Sequence, residues 1–496
     1  MTTTGAEALL PAPRPDGGTG TGAGTDTGTD TGTGGGATGE PAAVPRPRLR
    51  GVDLARGLAV LGMFAAHASG APTLLAADPA TWAGVVHGRS SILFATLAGV
   101  SVALMTGRTT PPDDDAVVAA RVRVLVRAVC LFVLGGLLQF LSSPVAVILE
   151  HYALLLVLCV PLLRVRPRTL LLAAAGVALV VAPLRALLSA VEGAGGWVGF
   201  GGAFGSLAVQ GPYPVLVWAA FVLAGLAVGR CDLSATRVRR ALVVGGVLLA
   251  VLGYGGSWAL TQAFPSVDPA SASAASSVSS SAASSSSAAG AGPAVGTGAG
   301  GSGTSGPGLV PGRDVDLSGS TCQRWSEGTV YCAADDGPSA FNEDGSQGDP
   351  GGGDGAGGSG SWRDALSLDQ FLGAQAHSAA TPEVLGSGGV ALAVLGACLW
   401  LADALGRRRA AWLVAPLVAV GSMPLTAYCT HVVALAFTSH DAYGGSGEPS
   451  WLAGSWQLWT LFAVTALVAC PLWVRFAGRG PLERLLGWAA RRAARP

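Results

Sequence analysis

The sequence predicts an all-α, polytopic integral membrane bundle of about ten transmembrane helices with both termini cytoplasmic. Composition, a ladder of apolar runs and the placement of arginine carry that expectation. Of 496 residues, 50% are hydrophobic and only 12% are charged, whereas a soluble chain carries about a quarter charged residues. Ten apolar segments lie near 52–74, 88–107, 121–142, 144–163, 168–190, 212–230, 238–262, 384–405, 412–438 and 455–476. Each approaches the roughly 20 residues that cross a hydrocarbon layer of about 30 Å. With the N-terminus inside, the inner loops collect Arg108, Arg121 and Arg123, then Arg164, Arg166 and Arg168, then Arg230, Arg237, Arg239 and Arg240, then Arg407, Arg408 and Arg409. The outer loops hold only Arg89 and the insert's Arg313, Arg324 and Arg363, with Arg185 near the outer end of the fifth segment. That alternation follows the positive-inside rule.

Taken in order, residues 1–47 form near-repeats such as TGTDTGTDTGTGGG. With almost no apolar residues to bury, they read as a disordered cytoplasmic tail. Residues 48–263 carry helices one to seven. The stretch 264–382 is mostly Ser, Ala and Gly and reads as a flexible external insert. Residues 383–478 carry helices eight to ten, and 479–496 form a basic cytoplasmic tail. Of eight cysteines, six lie in or beside apolar spans and read as small core residues. Cys322 and Cys332 stand in the insert, in CQRWSEGTVYC. A disulfide between them requires an oxidising compartment, the external side to which the arginine pattern assigns them.

The absent signals narrow the function. All thirty basic residues are arginine, which removes lysine nucleophiles and Schiff bases. No basic face extends beyond short loops, so nucleic acid is not an expected partner; membrane lipid is. There is no C-x-x-C, H-E-x-x-H, P-loop or G-x-S-x-G, and no metal site is expected.

The first apolar stretch, RLRGVDLARGLAVLGMFAAHASGAP, is the chemically richest. On a helix Arg50, Asp53 and Arg56 stand three apart and share one face. His67, eleven residues beyond Arg56, returns to that face roughly 16 Å further along. Ionisable groups at bilayer depth cost about 2.5 kcal/mol or more each, so such a stripe belongs inside a bundle. The other reading makes the arginines topology signals and Asp53 a helix-start residue. All six histidines fall in the outer half or outside, which suggests a polar cavity opening outward. Arg89 stands against the charge bias, held by a carboxylate of substrate or of Glu150, or snorkelling at the interface. Glu150 and His151 are adjacent and point about 100° apart; Glu150 is the carboxylate placed to orient a histidine from another span. Thr426 and Tyr428 offer hydroxyls near Pro424, and Glu483 reads as an interfacial salt bridge.

These motifs also carry a resemblance. The R-x-x-D-x-x-R-G-x-A pattern beginning at Arg50 resembles the opening of the heparan-alpha-glucosaminide N-acetyltransferase family and of the YeiB-like bacterial membrane proteins. The D-x-x-R-x(10)-H spacing of Asp53, Arg56 and His67 resembles the bacterial O-acyltransferase membrane family. GRSSILFATLAGVSVAL (88–104), GPYPVLVWAAFVLAGLAVGR (211–230), GSMPLTAYCTH (421–431) and GPLERLLGW (480–488) are similar to YeiB-like segments. The resemblance implies acyl transfer from cytoplasmic acetyl-CoA or another acyl-CoA to an external amine or hydroxyl, such as that of a sugar. On that reading Arg50, Asp53 and Arg56 form the donor side. His67 or His87 acts as base or acyl carrier, with Glu150 as supporting carboxylate. Arg89, His151, Thr426, Tyr428 and His431 lie on the acceptor side. His87 rivals His67 because the acetyltransferase relatives carry Asn in the place of His67 and a histidine in the loop that follows. A small-molecule transporter, using the intramembrane Asp, Arg, Glu and His as a proton path, is the alternative.

Overall fold

A computed structural model describes residues 49–68, 79–110, 112–141, 145–193, 205–263, 320–324, 330–334, 369–443 and 456–494. The tail 1–47 and most of the 264–382 insert lie outside them. Twelve principal helices follow one another: α1 (Arg50–Ala68), α2 (Arg89–Met105), α3 (Asp114–Gln139) and α4 (Leu149–Cys159); α5 (Pro167–Ala190); α6 (Val215–Gly229); α7 (Thr236–Ala263); then α8 (Thr381–Arg407), α9 (Ala415–Ser422), α10 (Pro424–Tyr443), α11 (Trp456–Ala477) and α12 (Pro481–Ala493).

Each of the ten apolar segments coincides with a helix or a helix pair. Among the described residues, α5, α7, α8 and α11 are long and apolar enough to cross a membrane alone, and α9 with α10, bent by 73°, makes a fifth candidate, so five of the ten expected spans meet that criterion. Arg89–Met105, Leu149–Leu162 and Val215–Gly229 are shorter apolar helices. The chain is a helical membrane protein whose apolar residues face outward as well as inward: Val129, Leu172, Leu252 and Phe476 are all largely exposed, as a lipid-facing belt requires. The exception to the all-α expectation is an antiparallel hairpin, β1 (Ser320–Arg324) with β2 (Val330–Ala334), whose register sets Cys322 opposite Cys332. The disulfide expected between them lies outside the described side chains.

α1 is the central element, in contact with α2, α8, α9, α10 and α11. Small residues set the closest crossings, as expected where backbone packing replaces the hydrophobic effect. A Cβ on Gly225 of α6 would lie 1.9 Å from the carbonyl oxygen of Thr96 in α2. A Cβ on Gly421, at the end of α9, would lie 1.7 Å from the carbonyl oxygen of Asp53 in α1. The chain then breaks at Met423 (φ −135°, ψ 51°), because Pro424 disfavours helical backbone in the residue before it. Helix α10 starts with its free N–H groups aimed at Glu483 of α12. That carboxylate accepts from Leu425 N (2.8 Å), Thr426 N (3.1 Å) and Thr426 Oγ1 (2.6 Å). Glu483 is therefore a helix cap supplied by another helix, and not the salt bridge its basic surroundings suggested.

Gly421→Ala should lower the thermal midpoint of the detergent-purified protein by several degrees, while Gly176→Ala, where an added Cβ meets nothing within 4 Å, should not. Equal midpoints for the two variants would show that the α1–α9 crossing does not require glycine.

Candidate functional site

A cavity of about 350 Å³ opens at one end of the bundle, lined by residues that include His67, His87, His377, Ser90, Tyr213 and Tyr428. Helix α1 brings His67 three turns beyond Asp53 and Arg56, on the face the sequence spacing indicated. His87 stands in the turn before α2, which Gly88 enters at φ 71°. His377 comes from the loop leading into α8. Its ring lies edge-on to His87 at 5.2 Å and edge-on to Tyr213 at 5.2 Å.

The hydrogen bonds around these rings fix what each can do. His377 Nδ1 lies 3.2 Å from the carbonyl oxygen of Pro212. A carbonyl only accepts, so Nδ1 carries the proton and neutral His377 keeps its lone pair on Nε2. Burial, with the nearby charge of His87 adding to it, lowers its pKa to about 4. His87 is also held below the ordinary histidine value, first by burial and then by Arg89. Neither of its ring nitrogens bonds to a described residue. His67 Nδ1 and His431 Nε2 are 3.0 Å apart. His431 stacks between Phe64 (4.3 Å) and His67 (5.2 Å), with Phe462 edge-on at 4.9 Å. Its Nδ1 is buried and unpartnered. An orphaned N–H is rarer than an orphaned acceptor, so His431 donates from Nε2, and His67 offers its Nε2–H to the cavity.

The loop bearing His377 is rigidly held. His377 and Ala379 adopt left-handed backbone, φ 66° and 54°, costly for residues with a Cβ. Glu383, 3% exposed in the first turn of α8, stabilises that path. It accepts from His377 N (2.6 Å), Ala379 N (2.6 Å) and Ser378 Oγ (3.1 Å). Arg185 of α5 bonds the Ser378 carbonyl from the other side at 3.0 Å. Neither His377 nor Glu383 was expected at the site. A glutamate at the start of an otherwise apolar span was the available signal.

Other expected residues stand elsewhere. Asp53 and Arg56 do pair, at 2.7 Å, and Arg56 also bonds Ser101 Oγ at 2.7 Å; Arg50 is exposed at the helix start. Glu150 leans on α3, where Gln139 donates to it at 3.2 Å, and does not line the cavity. His151, its neighbour on the opposite side, is buried with its ring edge-on to Tyr213 at 5.3 Å and Nδ1 unpartnered. Arg89 is held as its anomalous position indicated, but by Tyr254 Oη (2.8 Å) and the carbonyls of Gly84 and Val85, with no carboxylate. Thr426 faces Glu483, while Tyr428, about 200° round the helix from it, reaches the cavity. The side chain of His440 lies outside the described residues.

Two family models match the sequence. Residues 48–261 match the model described as "Heparan-alpha-glucosaminide N-acetyltransferase, catalytic", and residues 370–493 match "Protein of unknown function (DUF418)". Each match covers less than half of the chain, so each region is similar to the family whose model it fits. The first match takes in α1 to α7 with His67 and His87; the second takes in His377, Tyr428 and His431. The cavity is thus assembled from the two matched regions. No curated protein and no solved structure matches the chain. Among the described residues no group of His, Cys, Asp and Glu is arranged to hold a metal.

Because His377 titrates near 4 in the folded protein and near 6.5 unfolded, only the unfolded chain gains a proton on acidification through that window. Stability should be full above pH 6.5 and fall towards pH 4, by about 3 kcal/mol from this residue. Thermal melts of His377→Asn should show a correspondingly shallower acid dependence; an unchanged slope would contradict the assignment.

Proposed function

We propose that the protein is a membrane acyltransferase that moves an acyl group, acetyl in the simplest case, from acyl-CoA to an amine or hydroxyl acceptor. The observation that carries the reading is the histidine cavity, three imidazoles facing one space, in a chain whose residues 48–261 match an acetyltransferase catalytic model. A neutral imidazole with a free lone pair is the group such a reaction needs at neutral pH.

His87 is the base we favour, because its ring nitrogens are uncommitted. It takes the proton as the acceptor's nitrogen or oxygen attacks the thioester carbonyl. The carbon–sulfur bond breaks, and the departing thiolate of coenzyme A takes up a proton. His67, presenting Nε2–H, stabilises the oxyanion that forms on the carbonyl. His431 is a positioning residue that fixes the tautomer of His67. His377 stands beside His87 with its lone pair inward and accepts the acceptor's second hydrogen bond. A covalent relay through His87 fits the same geometry, with the acyl group carried on the imidazole and then passed on. Tyr428 lines the acceptor side, and His151, outside the lining, stands behind Tyr213. Arg50, exposed at the start of α1, is the donor-side cation, whereas Arg56 is already committed to Asp53 and Ser101.

The arginine pattern supports an orientation with both termini cytoplasmic in a cell membrane. The histidine cavity then faces outward, and the acceptor is an external small molecule or glycan, with a sugar amine as the first to test.

Purified protein given acetyl-CoA and an amino sugar should release coenzyme A thiol and acetylate the sugar, and His87→Ala should lower kcat by about 10²- to 10⁴-fold with an unchanged thermal midpoint. Since His87 is depressed, the acid limb of kcat/KM should lie below pH 6.5, and Arg89→Gln should move it upward. Failure of the wild type to transfer the acetyl group to any amine or hydroxyl acceptor would refute the reading.

A further inference from the structure

A second cavity, about 250 Å³, lies where the end of α2, the first half of α3 and the amphipathic α12 meet. Its polar lining is Arg123, Arg127, Arg491 and Thr106, and it contains no carboxylate. Arg127 makes no hydrogen bond or ion pair to any described residue, and its Nε is fully buried. The charges of Arg123, Arg491, Arg479 and Arg56 all act on it. Arg230 is buried next to the cavity wall at Thr106, where it donates to the backbone carbonyl and to Oγ1. Its remaining partners are the carbonyls of Arg108 and Leu163, so its charge too lacks a carboxylate counterpart. Buried polar atoms almost always have a partner, and the half-buried Arg127, whose Nε is buried without one, points to a partner in the space between the arginines.

We propose that this cavity is a phosphate site, in which Arg127 supplies the half-buried, unpaired guanidinium and Arg123 and Arg491 close over the anion from α3 and α12. Arginine suits such a site because its planar donor fork matches phosphate oxygens in pairs. The Gly487 position allows it: a Cβ there would come within 3.2 Å of the Arg491 guanidinium. The phosphate group is borne either by a soluble ligand or by a lipid headgroup, since α12 carries exposed Leu485 and Trp488 beside its arginines. The proposal stands on the guanidinium arrangement and does not rest on the acyltransferase reading.

The test uses the full chain in a neutral detergent, titrated with inorganic pyrophosphate and, separately, with short-chain phosphatidylglycerol. Thermal unfolding and native mass spectrometry are read against chloride of matched ionic strength. At least one of the two should bind and stabilise the wild type. Arg127→Gln should weaken that binding at least tenfold, and Arg127→Lys should restore part of it. Arg491→Gln, at an exposed position where folding is not at stake, should weaken binding too, whereas Arg408→Gln should not. Binding of pyrophosphate alone assigns a soluble phosphate ligand, and binding of the lipid alone assigns a headgroup. Absence of both, or binding that survives both glutamine substitutions, overturns the site.

Discussion

The structure depends on one constraint: the polar stripe of α1 has to find all its partners inside the bundle. A lipid-facing helix could not carry Asp53, Arg56 and His67, because nothing in hydrocarbon replaces the lost water. Asp53 and Arg56 answer part of the demand within the helix, and Ser101 of α2 takes the other arm of the guanidinium. His67 is answered from α10 by His431. These bonds require α1 to be surrounded, and it is, by α2, α8, α9, α10 and α11. Gly421 lets α9 come close enough for backbone contact with Asp53, and the break that Pro424 sets at Met423 then turns α10 so that His431 meets His67.

Two carboxylates do similar work at the places where helices begin or break. Glu483 caps the first turn of α10, and Glu383 binds the backbone of the loop that precedes α8. Both satisfy N–H groups that would otherwise be orphaned in a poorly hydrated setting. The consequence differs. Capping α10 fixes the register that sends Tyr428 to the cavity and His431 to His67. Binding the 377–379 loop holds a left-handed backbone that sets the His377 ring between Tyr213, Trp218 and His87.

Much of α1 was legible because helical spacing alone orders its side chains. Asp53 and Arg56 are three apart and pair; His67 is eleven beyond and lies on the same face. Its partner was not legible, since His431 is 364 residues away and periodicity says nothing across helices. Adjacent residues posed the converse problem. Glu150 and His151 diverge by about 100°, and sequence does not say which one turns inward; Glu150 leans on α3 while His151 is buried beside Tyr213. Arg89 was read as held by a carboxylate or as snorkelling, and its partners are a tyrosine and backbone carbonyls, which leave no mark in a charge pattern. His377 was read only as one of six histidines on the outer side, because nothing in the low-complexity stretch before it shows which helices its loop meets. The cysteine spacing suggested a stapled turn, and the register of the hairpin sets Cys322 opposite Cys332.

Helix α2 joins two different electrostatic environments. Ser90 and Ser91 line the histidine cavity and Met105 and Thr106 line the arginine cavity, roughly 20 Å apart at 1.5 Å per residue. Between them the helix is nearly inaccessible, with Ala95, Leu97 and Val100 at 1% exposure or less, and Ser101 is committed to Arg56. The distant guanidiniums contribute little to keeping the imidazoles neutral. At that separation and an effective dielectric of 20, each would raise the energy of an imidazolium by about 0.8 kcal/mol, and counterions reduce this further. The depression of His377 to about 4 corresponds to about 3 kcal/mol, and burial is its largest cause. The neutrality that suits His87 and His377 to proton transfer is therefore set locally, by the walls of their own cavity. The two ends of the bundle can be altered separately, the arginine end changing what anion is held there without changing the protonation of the histidines.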